Sequence, residues 1–524
     1  MSQYLTLQTI ESILQSRIKN YEYTSLGTLP QPGLFKDMQK ATQRIVEAIN
    51  ANETINIVGD YDVDGIVSTA IMVEFFNFLN YPVNYVIPNR FEHGYGLSPK
   101  ILEQIHEGLI ITVDNGISAH EAALICKQRG LDLIITDHHT VGQTLPQAYA
   151  IINPKQNDCT YPYSDICGAQ VAWYLCASIK NVLKVDYNLM ELFDILSLAI
   201  VADIMPMVSL NQTIVKKGLQ LISTSKKESL KAIKYRFGIE NFTEEDIAFK
   251  IAPLLNCAGR MADPNIALEF LLSKNSFEAD QNLDFLIELN EARKQEQLKI
   301  FNEAKLQVEE NTNVIVVASE NWNEGIIGIV ASKLCEKYKK PSFVFSIDGE
   351  TAKASSRSTP ETHLYNLIDL CKHHLIGFGG HKQAAGMSCF ARNIQSFAMD
   401  LNEMFHTLPQ SNENVCQSIL GKLQLQSVNE DLYNLIESFR PFGQENPYPI
   451  FQFENLTVIQ SNSIGKNKEY QKLLVGDSQT MIDVLVFSDQ EPIMQGATIS
   501  FLAQISKNEF RGNKTYNLLL KEFI

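Results

Sequence analysis

The chain has 524 residues, 45% hydrophobic and 20% charged, the composition of an ordinary globular protein with room for about three domains of roughly 150 residues each. A formal net charge of −16 speaks against a broad basic nucleic-acid footprint, and no run reaches the roughly 20 apolar residues of a membrane span. The first residues lack the basic-then-apolar pattern of a secretory signal, and nine cysteines without a C-x-x-C pair fit reduced thiols, so a cytoplasmic protein with no membrane association is expected.

In chain order, residues 1–45 read as a polar, helical lead-in that ends in a Pro/Gly stretch at 29–35. Over 46–211, apolar strand-like runs alternate with helical patterns, which predicts βαβ units and a parallel sheet covered on both faces. Residues 212–310 turn helical, and 283–308, free of Pro and Gly, predicts one long connecting helix. A second α/β unit is expected over 311–408, beginning at the run 314–318. After linker-like residues 408–414 and one more helix, the short strand-like runs of 451–524 predict a small barrel within a 409–524 region. The expected fold class is therefore α/β, with two α/β domains joined by a long helix and a C-terminal β-barrel.

The runs 55–65, 109–116 and 133–139 each read as a buried strand followed by carboxylate or imidazole. Ligands bind off the carboxyl ends of strands in open α/β sheets. Asp60, Asp62 and Asp64 would share one face if the strand period continued through them, and such crowded carboxylates need a cation. Asp137, His138 and His139 form a second cluster, while Asp114 and Asp203, each readable alone as a cap, gain weight from the set. A mixed Asp/His set suits Mn²⁺, Mg²⁺ or Zn²⁺ and points to a hydrolytic metal centre. Further on, Gly379 and Gly380 allow close backbone approach, Arg357 offers a bidentate fork, and His381 can hydrogen-bond a phosphate oxygen. Two basic clusters, Lys226 to Arg236 and Lys333 to Lys340, read equally well as solvated helix faces or as a nucleic-acid contact.

These residues resemble the motifs of the DHH phosphoesterase superfamily: 60–65, 113–116, the Asp-His-His of 137–139, and 201–206. The runs 255–261, 325–334, 355–358 and 379–386 are similar to the RecJ family of single-strand-specific 5′→3′ DNA exonucleases. The last two resemble its DHHA1 substrate-binding domain, and 440–451 looks like the entry to its C-terminal OB-fold. The resemblance implies that Asp62, Asp114, His138 and Asp203 hold a main Mn²⁺ or Mg²⁺, with Asp60 and Asp114 serving a second ion. It also implies catalytic roles for His139, Asp137 and Asp64, and substrate contacts by Arg260, Ser355, Arg357, Ser358, Gly379, Gly380 and His381. By the same resemblance the substrate is single-stranded DNA in recombination and repair, with a single-strand-binding protein and a RecQ-type helicase as partners. The sequence departs from related branches at Asn56, where they carry His, and from RecJ-like chains at Leu254, where Arg is commoner. Two other readings stay open. One is a DHH phosphodiesterase for short oligonucleotides or cyclic dinucleotides, and the other is a non-catalytic scaffold like Cdc45.

Overall fold

The computed structural model describes residues 4–18, 21–309, 311–408, 419–465, 468, 470–487, 492–510 and 513–524. Five short strands, β1 (Ile55–Val58), β2 (Asn84–Val86), β3 (Leu109–Val113), β4 (Leu133–Thr136) and β5 (Ala150–Ile152), form an all-parallel sheet in the order β2-β1-β3-β4-β5. Every residue of β1, β3, β4 and β5 is buried, as expected where helices cover both faces. The helix Val63–Phe78 is apolar nearly all round and buried almost throughout its length, so it lies inside the domain rather than on its surface. Asn56 is a sheet residue: its amide donates to the Glu107 carbonyl and its Oδ1 accepts from Asn84. Leu254 is buried in the core.

The connecting helix spans Ser276–Lys305, 30 residues, starting seven positions before the expected run. The second sheet, in the order β6-β7-β8-β10-β9, is built from β6 (Ile315–Glu320), β7 (Ser342–Asp348), β8 (Thr351–Arg357), β9 (Leu375–Gly380) and β10 (Ala384–Phe390). Only β6–β7 is parallel. One apolar cluster containing Phe343, Phe345 and Phe397 and another containing Val330, Leu334 and Val344 cover this sheet.

The last six strands are β11 (Ile419–Lys422), β12 (Ile450–Ile464), β13 (Tyr470–Gly476), β14 (Met481–Val486), β15 (Thr498–Phe510) and β16 (Asn513–Phe523). They pair as β11-β12-β13-β14-β16-β15, and β15 closes back on β12. The result is a five-stranded barrel with β11 attached outside and β14–β16 as its parallel pair. This is OB-fold topology. Phe451, Phe453 and Phe501 fill the barrel, joined by Ile10 and Leu14 of the N-terminal helix Leu7–Ile18. The chain divides into two compact units. Met1–Pro30, Ile204–Lys217 and Val415–Ile524 make one, and Gln31–Asp203 with Gly218–Asn414 make the other.

In the basic cluster at 226–236, Lys227 is half-buried against two carboxylates and two further cations are paired within the chain. Lys227 lies 3.1 Å from Asp194 and 3.4 Å from Glu74, Lys231 pairs with Glu228, and Arg236 pairs with Asp284. Burial pushes the Glu74 carboxyl up from 4.5 to about 7, more than Lys227 pulls it down. The folded state therefore keeps a proton that the unfolded chain has released. Its stability contribution is present below about pH 4.5 and is lost as pH rises towards 7. Glu74→Gln should flatten that slope in urea melts taken across this pH window. In the barrel, Phe501→Ala should cost about 3–5 kcal/mol and lower the calorimetric transition. Both tryptophans, Trp173 and Trp322, lie in the other unit, so the tryptophan-fluorescence midpoint should move less.

Candidate metal centre and phosphate-binding face

The site grows from the carboxyl ends of β1, β3 and β4. After β1 the chain turns through Asp60, which is buried, and Asp62, which caps the helix Val63–Phe78 by accepting from Gly65 N at 3.1 Å. Asp64 lies in that helix's first turn. The strand period thus ends before the second aspartate: Asp60, Asp62 and Asp64 straddle a strand end, a cap and a helical turn, and do not line one strand face. Asp64 turns to the start of another helix, Gly168–Leu183, where Gly168 N and Ala169 N donate to its two oxygens at 2.6 and 2.8 Å. Two helix N-termini therefore face the acidic cluster, each favouring negative charge.

Asp114 follows β3 with φ +63°, a left-handed conformation rare outside glycine. The neighbouring Asn115 holds it there. Its amide donates to the Val58, Gly59 and Val113 carbonyls at 2.9 Å each, and its Oδ1 accepts from Leu97 N, stitching the ends of β1 and β3 together. Asp203 is the residue that ends the helix Phe193–Ala202. At the centre is His138, whose Nε2 lies 3.2 Å from Asp114 Oδ1, 3.5 Å from Asp64 Oδ2 and 3.6 Å from Asp203 Oδ2. Asp60, Asp62 and Asp114 form an adjoining group with oxygens within 4.8 Å of one another.

The electrostatics are those of a site fitted to hold positive charge. Burial, then carboxylate neighbours, raises the pKa of Asp60, Asp62, Asp114 and Asp203. Burial lowers His138 to about 4, which keeps its imidazole neutral and free to ligate. Asp60 Oδ1, Asp114 Oδ1, Asp203 Oδ2 and His138 Nδ1 are buried without a hydrogen-bond partner. Orphaned oxygens converging beside a neutral imidazole fit a divalent cation in the Mg²⁺/Mn²⁺ class.

Asp137 takes no part in this convergence. Its Oδ1 accepts from His138 N, His139 N and His139 Nδ1 at 2.7, 3.0 and 2.7 Å, and its Oδ2 accepts from Ile117 N. Burial alone would raise it, but these bonds hold it below the usual carboxylate range. His139 gains correspondingly: burial opposes its charge, yet Asp137 lifts it to about 9.

A basic wall adjoins the cluster. Asn256 Oδ1 accepts from Val63 N, and Gly259 packs on the Tyr61 carbonyl, which seats the helix Ala252–Met261 beside the aspartate turn. From it Arg260 donates to the Gly325 carbonyl at 3.0 Å. Arg90 lies over the Tyr61 ring at 4.9 Å, and burial, then Arg90 and Arg293, lowers Arg260 to about 10. Gly328 continues the contact to Ser355 and Arg357 on β8, where Arg357 donates to Ser355 Oγ. Gly379 and Gly380 end β9 at the same end of the sheet, with His381 exposed beyond them. Ser358 instead donates to the Thr362 carbonyl within its own loop. Arg90, Asn115 and Tyr95, whose hydroxyl donates to the Asp114 carbonyl at 3.3 Å, escaped the sequence reading. The signals were a Tyr between two glycines at 94–96 shortly after an Arg and, for Asn115, its place in the motif 113–116.

On the barrel, Tyr470 and Phe487 are exposed and pack edge-on, whereas Tyr516 packs against Tyr433. Lys472, Lys507 and Lys514 pair with Asp483, Glu509 and Glu430. Lys466, Arg511 and the Phe510 side chain lie outside the described residues.

Comparison with known proteins agrees with this geometry. Residues 54–200 match the DHH family N-terminal domain, 311–407 the DHHA1 domain and 420–522 the RecJ OB domain. The single-stranded-DNA-specific exonuclease RecJ of Haemophilus influenzae is 30% identical over 532 residues, covering 95% of this chain and 92% of that protein. The chain belongs to the RecJ family. The RecJ of Bacillus subtilis is 35% identical, and the match covers 94% of this chain but 64% of that longer protein. Among solved structures, Thermus thermophilus RecJ in complex with Mn²⁺ superposes with TM-score 0.85 at 24% identity, over 98% of this chain and 75% of that one. An exonuclease RecJ bound to manganese matches at 28% identity and TM-score 0.65, over 74% of this chain and 98% of that one. The family's DHH, DHHA1 and OB modules thus follow one another along this chain. Among the described residues, no helix is long and apolar enough to cross a membrane.

Gly168 tests how tightly the centre is built. A β-carbon there would lie 2.5 Å from Asp114 Cβ and Oδ1. Gly168→Ala should therefore weaken Mn²⁺ binding at least about 10-fold, read by electron paramagnetic resonance.

Proposed function

We propose that the protein is a metal-dependent 5′→3′ exonuclease that hydrolyses single-stranded DNA to 5′-mononucleotides. The observation that carries this reading is the convergence of three carboxylate oxygens on His138 Nε2 beside an arginine-rich wall, in a chain of the RecJ family. By this geometry Asp64, Asp114, His138 and Asp203 hold the main ion and Asp60, Asp62 and Asp114 the second. That assignment moves Asp62 from the main ion to the second and gives its place to Asp64, for which the family-based expectation was a catalytic role. Mn²⁺ or Mg²⁺, when bound, supplies Lewis-acid stabilisation of the phosphoryl group and acidifies an attacking water.

The protein's own residues do the rest. His139, kept protonated by Asp137, offers a cationic donor to charge developing on phosphoryl oxygens, a task suited to a preorganised and partly dry site. Arg90, Arg260 and Arg357, with Ser355, offer planar and hydroxyl donors for a terminal 5′ phosphate, which would fix the polarity of digestion. Exposed Tyr470 and Phe487 offer faces on which bases stack regardless of sequence. The same reading carries a cytoplasmic location and, by family resemblance, cooperation with a single-strand-binding protein and a RecQ-type helicase.

Digestion of 5′-labelled single-stranded and duplex DNA in Mn²⁺ should release labelled mononucleotide at once, from the single strand only. EDTA should abolish the reaction and added Mn²⁺ restore it. Release confined to two- to five-residue oligonucleotides would replace this reading with that of a short-oligonucleotide phosphodiesterase, and binding without cleavage with that of a scaffold. Asp64→Ala and Asp114→Ala should each lower kcat at least about 100-fold while leaving DNA binding in place, and His139→Ala should cost about 100- to 1000-fold. Full activity in Asp64→Ala would overturn the assignment of Asp64 to the main ion.

A further inference from the structure

A second group of metal-type ligands lies far along the chain from the DHH centre. His373 and His374 occupy a single 3₁₀ turn, Lys372–His374, immediately before β9. Asp400 lies on the helix Ile394–Met404 that packs beside it. His373 Nε2 and His374 Nε2 lie 3.2 and 2.8 Å from the same carboxylate oxygen, Asp400 Oδ2. All three ligand atoms fall within 4.8 Å of one another. The turn is held in place independently, because Asn393 Nδ2 donates to the His374 carbonyl at 3.0 Å and His374 packs edge-on against Phe397.

We propose that His373, His374 and Asp400 form a separate binding site for an imidazole-preferring divalent transition ion, with Zn²⁺ as its representative. Nitrogen–oxygen separations of about 3 Å are those spanned by two ligands sharing one ion at about 2.0–2.2 Å. The two imidazole rings lie with centroids 4.1 Å apart and both present Nε2 to one carboxylate oxygen, as ligands sharing one ion do. The neighbouring cation does not compete for Asp400: the Lys372 ammonium turns to Asp369 at 3.1 Å. Side-chain exposures of 62% for His373, 15% for His374 and 36% for Asp400 leave one side open to water, as a three-ligand site requires.

The donor set separates this site chemically from the DHH centre. Two nitrogens and one oxygen suit Zn²⁺, Ni²⁺ or Cu²⁺, whereas the carboxylate-rich centre suits Mn²⁺ and Mg²⁺. An ion here ties the start of β9 to the helix Ile394–Met404. β9 ends at Gly379 and Gly380, so the clip braces the far end of the strand that carries the glycine turn.

The test is a Zn²⁺ titration of the full chain in excess Mn²⁺, followed by calorimetry and by the melting midpoint. Wild type should bind one Zn²⁺ more than His373→Ala and Asp400→Asn, or bind it at least about 10-fold more tightly, the scale that even outer partners of a metal site command. Zn²⁺ should raise the melting midpoint of wild type but not of the variants. Asp114→Ala should keep the extra site, separating it from the DHH centre. Identical isotherms for wild type and His373→Ala would overturn the proposal, and His373, being mostly exposed, can be replaced without disturbing the core should Asp400→Asn fold poorly.

Discussion

Crowded negative charge is the constraint to which the DHH half of the protein answers. Asp64, Asp114 and Asp203 are gathered around one neutral imidazole, and Asp60 and Asp62 adjoin them through Asp114. Such a cluster folds only if positive potential is supplied. Part of it comes from the backbone, where two helix N-termini point at Asp62 and Asp64. The remainder must come from cations, so ion binding and local stability are linked in this region. Asn115 and Asp137 do the complementary work of holding strand ends and ring orientations against the repulsion.

The same architecture separates two kinds of histidine that are adjacent in sequence. His138 is held neutral by burial, and His139 is held charged by a carboxylate that spends nearly all its accepting capacity on that one turn. Neighbouring imidazoles thus carry opposite protonation states near neutral pH, one fitted to ligate and the other to donate. The environment of each ring, more than its identity, assigns its part.

Much of the fold was legible in the sequence because its signals are strong and local. Short runs rich in Ile, Leu and Val, followed directly or after one glycine by Asp, announced β1, β3 and β4, and a Gly- and Pro-free stretch announced the connecting helix. The barrel was readable as short alternating runs. The site was legible in membership but less so in grouping. Asp62 and Asp64 differ by two positions, and only the turn from strand to helix decides which faces His138 and which faces Asp60. Arg90 was invisible because an isolated Arg carries no periodic signal, whereas Asn115 lay inside the motif 113–116 without its strand-stitching role being readable, since that role comes from what the fold brings beside it. The basic cluster at 226–236 left two readings open in the sequence, because the partners Glu74, Asp194 and Asp284 that pair with it lie far away along the chain.

The barrel's unit is discontinuous, drawing on Met1–Pro30 and Ile204–Lys217 as well as the C-terminal region. Ile10 and Leu14 sit within its apolar core, and Met207 N donates to the Gln444 carbonyl at 2.7 Å. Cutting the chain after the second sheet would therefore uncover Ile10 and Leu14 and remove the backbone partner of Met207. The barrel is thus tied to the rest of the polypeptide at three places along the sequence, so removing it cleanly means redesigning two distant segments as well as deleting its own.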